Sequence, residues 1–575
     1  MVYVSPSNIP ANFPTFHDSL NSSSHNRAFL SLRLTVSVLL RRESEDDQID
    51  LEMASFVRIT VLIWADILAA YAMWVMVTYL TNVWKLNFVH AAGIINICGG
   101  IALIMPIGFA FLVDTVMGDY AMLLLSSIAY SIGLSFLAMS TPPVLSKSTG
   151  TCSAYRPECI GDTQRVLFYT ALALIAVGIS GHLVSLESFL NESQMEDDDG
   201  GKTPWKIGGI FGVVLVPIIG GIALPYIKPW SIRFGIPAIF SLVATLLFAS
   251  GSNAYEFKGP QGSPLTTVVR VFVASASKIF HQCPEDANEL YERRDIVQPV
   301  PHTRGLRCLD KAATILPPPQ TQEEQEKNRW RLCSVTEVEE TKIGIRMVPM
   351  WLTFIICGVV LSIGNTYFLE QANHMNRKVG HLKVPLPIFL MFYEFAKSEF
   401  SKIYFNLAKC LGRSGSKRYA PPIGIAVAMV FSVLCCITAA KVETRRLNVI
   451  RSHDLVDKPD KRIPMSIFWL LPQFLLLGTL HGICEKSIVD FFKDQAPPSM
   501  RRYLVFFSNG VFGLGSMASV LSVYIVGKFS ERKGNLNWFQ DTLNRSRLDN
   551  YYWTLAVLST VNLVFYILVG NVLQL

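Results

Sequence analysis

Residues 91–113 read AAGIINICGGIALIMPIGFAFLV, a run without a charged side chain. At 1.5 Å per residue, an α-helix of this length crosses the roughly 30 Å of hydrocarbon in a bilayer. Lipid offers no partner to a backbone N–H or C=O, so the run must satisfy its hydrogen bonds internally as a helix. Comparable apolar blocks lie outward on both sides, at 56–80, 120–139, 164–190, 205–227 and 231–250, then at 343–368, 384–406, 420–440, 464–492, 503–527 and 551–573. Twelve such blocks predict an all-α, multi-pass membrane protein. Composition agrees: only 17% of the 575 residues are charged, against about 25% in soluble domains.

The blocks fall into six, a polar gap, and six. This divides the chain into a tail (1–55), an N-terminal six-helix bundle (56–250), a central loop (251–342) and a C-terminal six-helix bundle (343–575). The tail is rich in Ser, Asn and Pro, then acidic from Glu43 to Asp50, and reads as disordered. Its apolar stretch, Leu30–Leu40, is too short to span. The gap holds Pro317-Pro318-Pro319 and the charged run EEQEKNRWR at 323–331. A gap of this size between equal halves is the layout of a two-bundle transporter.

Net charge is +7, carried mostly in short segments between blocks, where basic residues flank a membrane. No basic helix or stacking platform points to a nucleic acid. The loop at 441–463 has seven Lys/Arg and the segment at 407–419 has four, yet twelve spans place these on opposite sides. Charge counting therefore gives no orientation. Cys152 and Cys159 share one loop and would form a disulfide if that loop faces an oxidising space. Gly208, Gly209, Gly212, Gly220 and Gly221 in the fifth block, and Gly513, Gly515 and Ser519 in the eleventh, are small residues of the kind that let helices approach closely. Pro106, Pro217, Pro349 and Pro472 lie within blocks, where a freed carbonyl permits a bend.

An ionisable side chain inside a membrane is costly and marks a candidate functional position. The candidates are Asp66 in the first block, His182 and Glu187 in the fourth, Glu394 and Lys397 in the eighth, and His481, Glu485 and Lys486 in the tenth, with Asn365 in the seventh as a neutral donor. Glu394/Lys397 and Glu399/Lys402 have the i,i+3 spacing at which helix neighbours neutralise each other. Asp66 and Glu485 are the preferred cavity-lining acids. Each histidine is either a proton relay or a hydrogen-bonding core residue. HExxH, GxSxG and the P-loop lysine motif are all absent. The sequence thus predicts neither an enzyme nor an ATP-driven pump, and no cofactor or metal; transport would run on gradients.

Several long segments resemble the plant nitrate/peptide transporter family, part of the proton-dependent oligopeptide transporter group of the major facilitator superfamily. They include FGIPAI (234–239), YEFKGPQGSPL (255–265), LDKAA (309–313), WRLCSVTEVEETKIGIRMVPMW (330–351), PMSIFWLLPQF (464–474), DFFKDQAPPSMR (490–501) and WFQDTLNRSRLDNYYW (538–553). The resemblance implies a major facilitator fold, a central cavity, alternating access and a cytosolic central loop. It implies a small-molecule solute as partner: nitrate first, or another small anion, with a peptide or organic metabolite as the alternative. Protons are candidate co-substrates. A sensor or scaffold that transports nothing is the rival of another class. Plasma membrane and vacuolar membrane fit equally.

The chain departs from this family where proton coupling is seated. The usual first-span ExxE[KR] reads Asp66-Ile67-Leu68-Ala69-Ala70, and the fourth-span lysine falls at or beside Leu183, next to His182. The tenth-span glutamate falls near His481. The DxxxGR after the second span runs from Asp114 to Asp119, with aspartate in place of arginine. Standard proton symport is therefore not expected: either His182, His481, Glu485 or Asp66 takes over the titratable role, or the chain runs as a facilitator or an exporter driven by the solute's own gradient, with flux only weakly dependent on a pH gradient.

Overall fold

The computed structural model describes residues 56–195, 212, 215–251, 262–284, 286, 289–293, 301–316, 328–411, 416–496, 498–532 and 536–573. The tail, Gly208, Gly209, the triple proline and most of the charged run behind it lie outside these residues. Nine helical stretches among the described residues are long and apolar enough to cross a membrane. One of them, Phe88–Met139, is two spans. Its first helix, Phe88–Leu112, is capped by the Asn87 side chain, which accepts from the Val89 N–H at 2.9 Å. A π turn at Val113–Met117 follows, and Gly118, at φ 71°, starts the next helix, Gly118–Met139. That backbone is open to glycine and costly for other residues, so the reversal sits there.

The remaining spans are Phe56–Asn82, Asp162–Met195, the fifth described as Leu215–Tyr226, Trp230–Ser250, Val335–His374, Ile388–Leu411, Ser416–Ser452, Leu471–Gln495, Pro498–Ser530 and Leu548–Leu573. Ile388–Leu411, the eighth, carries the charges that the sequence singled out. The fold is that of the major facilitators, two six-helix bundles. The third helix packs on the fourth and sixth, and the ninth on the tenth and twelfth. The second helix joins the halves by lying along the eleventh. A Cβ on Gly513 would sit 2.6 Å from the Gly100 carbonyl oxygen, and one on Gly100 would sit 2.6 Å from that of Gly513. Only glycines allow this crossing, which bears out the packing role expected of the eleventh block.

Alternation of helix direction places the connections 83–87, 140–161, 227–229, 375–387, 453–470 and 531–547 at one end. A two-stranded hairpin, Lys378–Val379 with Leu382–Lys383, marks this hairpin end. The Cys152–Cys159 disulfide lies there, with a Cα–Cα distance of 4.8 Å. The central segment occupies the opposite end.

Several boundaries differ from expectation. The seventh helix begins at Val335, inside the stretch read as loop, because Ser334 and Glu337 form a capping box. Pro349 and Pro472 lie within their spans, as expected, but in the first turn of a helix, where the missing N–H has no partner to lose: the seventh span is interrupted at Met347 and restarts at Val348, and the helix of the tenth starts at Leu471. The tenth block opens as a strand, Ile463–Ser466, paired in parallel with Met375–Asn376. The ninth helix runs on through Arg446, whose guanidinium is fully buried against Glu443 at 2.7 Å and the Leu543 carbonyl at 3.0 Å. Arg446 is thus part of the core and not a loop cation, which removes one of the seven basic residues counted for that loop.

The central segment has a small core of its own. Its amphipathic helix Pro264–Ser277 buries Val271 and Ala274 against Leu309, Ala312 and Val338. Lys278 reaches into this core and donates to the carbonyls of Ala312, at 3.2 Å, and Thr314, at 2.6 Å. Burial pushes its pKa down to about 8. Lys342, fully buried, sits between Asp310 at 2.6 Å and Glu339 at 2.7 Å. His302, Asp310 and Glu339 converge like metal ligands, but the Lys342 ammonium already ion-pairs with both carboxylates.

Candidate functional site between the two bundles

A cavity of about 340 Å³ lies between the bundles. The first half contributes Trp74 and Asn96; the second contributes Asn365, Tyr393, Glu394, His481 and Asn509. Asn96 donates to Ser519 at 2.8 Å and fixes the wall where the second and eleventh helices meet. His481 Nδ1 hydrogen-bonds the Tyr393 hydroxyl, which bridges the tenth and eighth helices. The wall is mainly apolar, through residues such as Leu103, Leu361, Phe474 and Phe512, is studded with neutral polar groups, and carries one exposed acid, Glu394.

Two acid–base groups lie beside this cavity, one on each half. Asp66 is about 12 Å along the helix from Trp74, at 1.5 Å per residue. Its Oδ2 is 2.8 Å from His182 Nδ1, and His182 Nε2 is 2.8 Å from the Ser127 hydroxyl. The imidazole is 5% exposed and rests edge-on to Tyr130 at 5.5 Å. The other carboxylate oxygen, Asp66 Oδ1, is buried with no hydrogen-bond partner. A carboxylate hydrogen-bonded to an imidazole is a pair that can share and pass on one proton. On the second half, Lys397 Nζ is 2.7 Å from Glu485 Oε2, and His481 Nε2 is 3.8 Å from the same oxygen.

The structure brings together Asp66 with His182, and Lys397 with Glu485 and His481. Lys397 thus turns across to the tenth helix and not to Glu394, whereas Glu399 and Lys402 do pair, at 2.7 Å. The expected cavity-lining acids, Asp66 and Glu485, are not among the residues lining the central cavity; Glu394 is. Asn365 and His481 line it as well. Glu187 is exposed and lies apart from it. Lys486 faces away, 3.6 Å from Asp490 and 5.4 Å from the Phe405 ring.

Residues 120–539 match the model of the POT family, PTR2. The chain belongs to the POT family. It is similar to Protein NRT1/ PTR FAMILY 5.5 of Arabidopsis thaliana, 43% identical over 89% of this chain and 95% of that one. Protein NRT1/ PTR FAMILY 8.3 of the same plant is 32% identical, over 85% and 86%. The in meso crystal structure of the POT family transporter PepTSo superposes with a TM-score of 0.59, covering 92% of this chain and 98% of that one at 16% identity. As a POT-family member the chain is a multi-pass membrane transporter of small solutes and not an enzyme.

In this POT-family chain the residue that sequence reasoning missed is Arg502. Its Nη2 lies 3.2 Å from Asp119 and 2.5 Å from the Val184 carbonyl, and its Nη1 is 3.8 Å from Asp114. Tyr503 donates to Asp114 at 2.5 Å and hydrogen-bonds Ser263 at 2.8 Å. An arginine from the opposite bundle thus pairs with the two aspartates of the 114–119 stretch, a partnership 383 residues apart that local sequence could not reveal. These contacts tie the halves at the central-segment end. At the hairpin end Thr81 donates to Glu370 at 3.1 Å, Asn373 to Asn82 at 3.2 Å, and Tyr226 to the Lys383 carbonyl at 3.0 Å.

Proposed function

We propose that this chain is a secondary transporter of a small polar or anionic solute, nitrate first among the candidates, working by alternating access. The observation that carries the reading is a cavity shared by both bundles, apolar over most of its wall but with polar side chains from each half, and tied at both ends. A solute held there reaches either side only when one set of ties parts. The cavity offers donors from Trp74, Asn96, Asn365, Asn509 and His481. In this reading the Asp66–His182 pair stands in for the lost acid–base trio. Protonation of the pair and binding of the anion then favour each other, which is the requirement for symport. The Cys152–Cys159 disulfide supports a hairpin end that faces an oxidising, non-cytosolic space, with the central segment in the cytosol. Plasma and vacuolar membranes meet that condition equally.

Uptake of labelled nitrate into proteoliposomes tests the reading: saturable entry supports it. Absence of nitrate flux in either direction at any pH removes nitrate, and absence of flux for every solute in a broad screen leaves the sensor or scaffold. One feature favours a second substrate class. Glu394 faces the cavity without an ion-pair partner among the described residues, which suits a peptide or organic metabolite bearing an amine. Glu394→Gln would abolish uptake of such a solute and spare nitrate.

A further inference from the structure

A second cavity, of about 360 Å³, lies at the hairpin end between the first, fifth and sixth helices and the 375–387 connection. Lys228, Arg233, Arg377 and Lys383 line it, and none of its lining residues is acidic. Two acids of this end are engaged elsewhere, Glu370 with His374 at 3.0 Å and Asp457 with Arg545 at 2.6 Å. No ion pair joins any of the four cations to a carboxylate among the described residues. Arg233 is held in place by the carbonyls of Ile227 and Pro225, the latter at 2.7 Å, and lies 4.6 Å over the Trp230 ring. Its hydrogen bonds are thus met while its charge is not. Arg377 is less complete: its Nε is buried with no hydrogen-bond partner.

The crowding has an electrostatic signature. Burial, then the charges of Arg462 and Arg233, push the Arg377 pKa down to about 10. Burial and the same neighbours, Arg377, Arg462, Arg233 and Lys228, also lower that of Lys383. Like charges gathered in a half-enclosed, acid-free hollow repel one another, and the repulsion is relieved when an anion enters. A planar guanidinium with free N–H groups binds a carboxylate, nitrate or phosphate oxygen pair most strongly.

We infer that the hairpin-end cavity binds an oxyanion between Arg377 and Lys383 and serves as a staging site before the central cavity. The two hollows adjoin along the same two segments. Tyr71, Ala72 and Val75 line the outer one and Trp74 the inner; Pro387 lines the outer one and Leu390 the inner. The staging role rests on the anion-transport reading above, whereas binding of the oxyanion does not. A phosphate-bearing lipid headgroup presents the same chemistry as a soluble anion, so the test must separate the two.

The probe is inorganic phosphate, titrated at constant ionic strength against full-length protein in nanodiscs of neutral lipid, with melting temperature as the readout. The wild type should show a saturable rise, and R377Q/K383Q should need about tenfold more phosphate to reach half of it. If the double variant melts too early to titrate, Lys383→Gln alone, at an exposed position, should need about threefold more. Equal half-saturation in wild type and variants, or an equal rise with chloride, would overturn the site. A second arm repeats the titration in nanodiscs containing an anionic phospholipid. A persisting response supports a soluble anion and the staging role; a response erased there overturns the staging role and assigns the site to a headgroup. Phosphate binding that survives while nitrate flux is absent would sink the nitrate reading and leave the site standing.

Discussion

His182 uses both ring nitrogens, one toward Asp66 and one toward Ser127, at 2.8 Å each. That arrangement leaves Asp66 Oδ1 as the buried atom able to receive a further proton or donor. Asp66→Asn keeps the shape and removes the charge. It should reduce pH-gradient-driven accumulation about tenfold or more while leaving solute exchange in place, measured as accumulation against counterflow in the same vesicles. Glu485 depends on Lys397 in the same way. Lys397→Met should leave that carboxylate without its 2.7 Å partner and slow gradient-driven transport more than solute exchange, measured in the same vesicles. Asp66, His182, Lys397 and Glu485 were each legible in the sequence as ionisable groups within apolar blocks. Their pairings were not: Asp66 and His182 are 116 residues apart. The local i,i+3 rule pointed Lys397 at Glu394, and tertiary packing overrode it.

The second and eleventh helices meet through backbone, not side chains, at Gly100 and Gly513. Gly513→Val forces the carbonyl of Gly100 away and should cost about 1–3 kcal/mol of stability, read as an earlier melt in detergent. Arg502 closes the central-segment end from the same eleventh helix. Charge-assisted hydrogen bonds contribute about 1.5–3 kcal/mol, so Arg502→Gln should shift the population toward opening at that end by about tenfold or more. Cysteine-labelling rates at positions facing that end would register it; unchanged rates would show that the contact is not a latch. The central segment makes a pH prediction. Lys278 releases its proton near pH 8 when folded and near its usual 10.5 when unfolded. Between those values the unfolded chain binds more protons, so folding gains stability as pH rises, while below about 8 the penalty is fully present. The wild type should therefore gain on Lys278→Met in melting temperature as pH climbs from about 8 toward 10.5. This folded segment was read as loop because its polar residues hide a capping box and a small apolar core. The long apolar helices, which need no partner to be recognised, were read correctly.

Two bundles packed through one continuous apolar core, joined by glycine contacts and tied by polar groups at both ends, have the parts that alternating access needs: a site at the joint and ties that can part singly. In the proposed reading, neutral donors in the cavity hold the solute, while an acid–base pair on the first bundle and a lysine–glutamate pair on the second handle the proton. The most direct test is labelled nitrate uptake into proteoliposomes under an imposed inward proton gradient, for the wild type and His182→Gln. The account predicts accumulation driven by the gradient in the wild type, and in the variant exchange without accumulation. Wild-type uptake indifferent to the gradient, or a variant that accumulates nitrate as the wild type does, would contradict it.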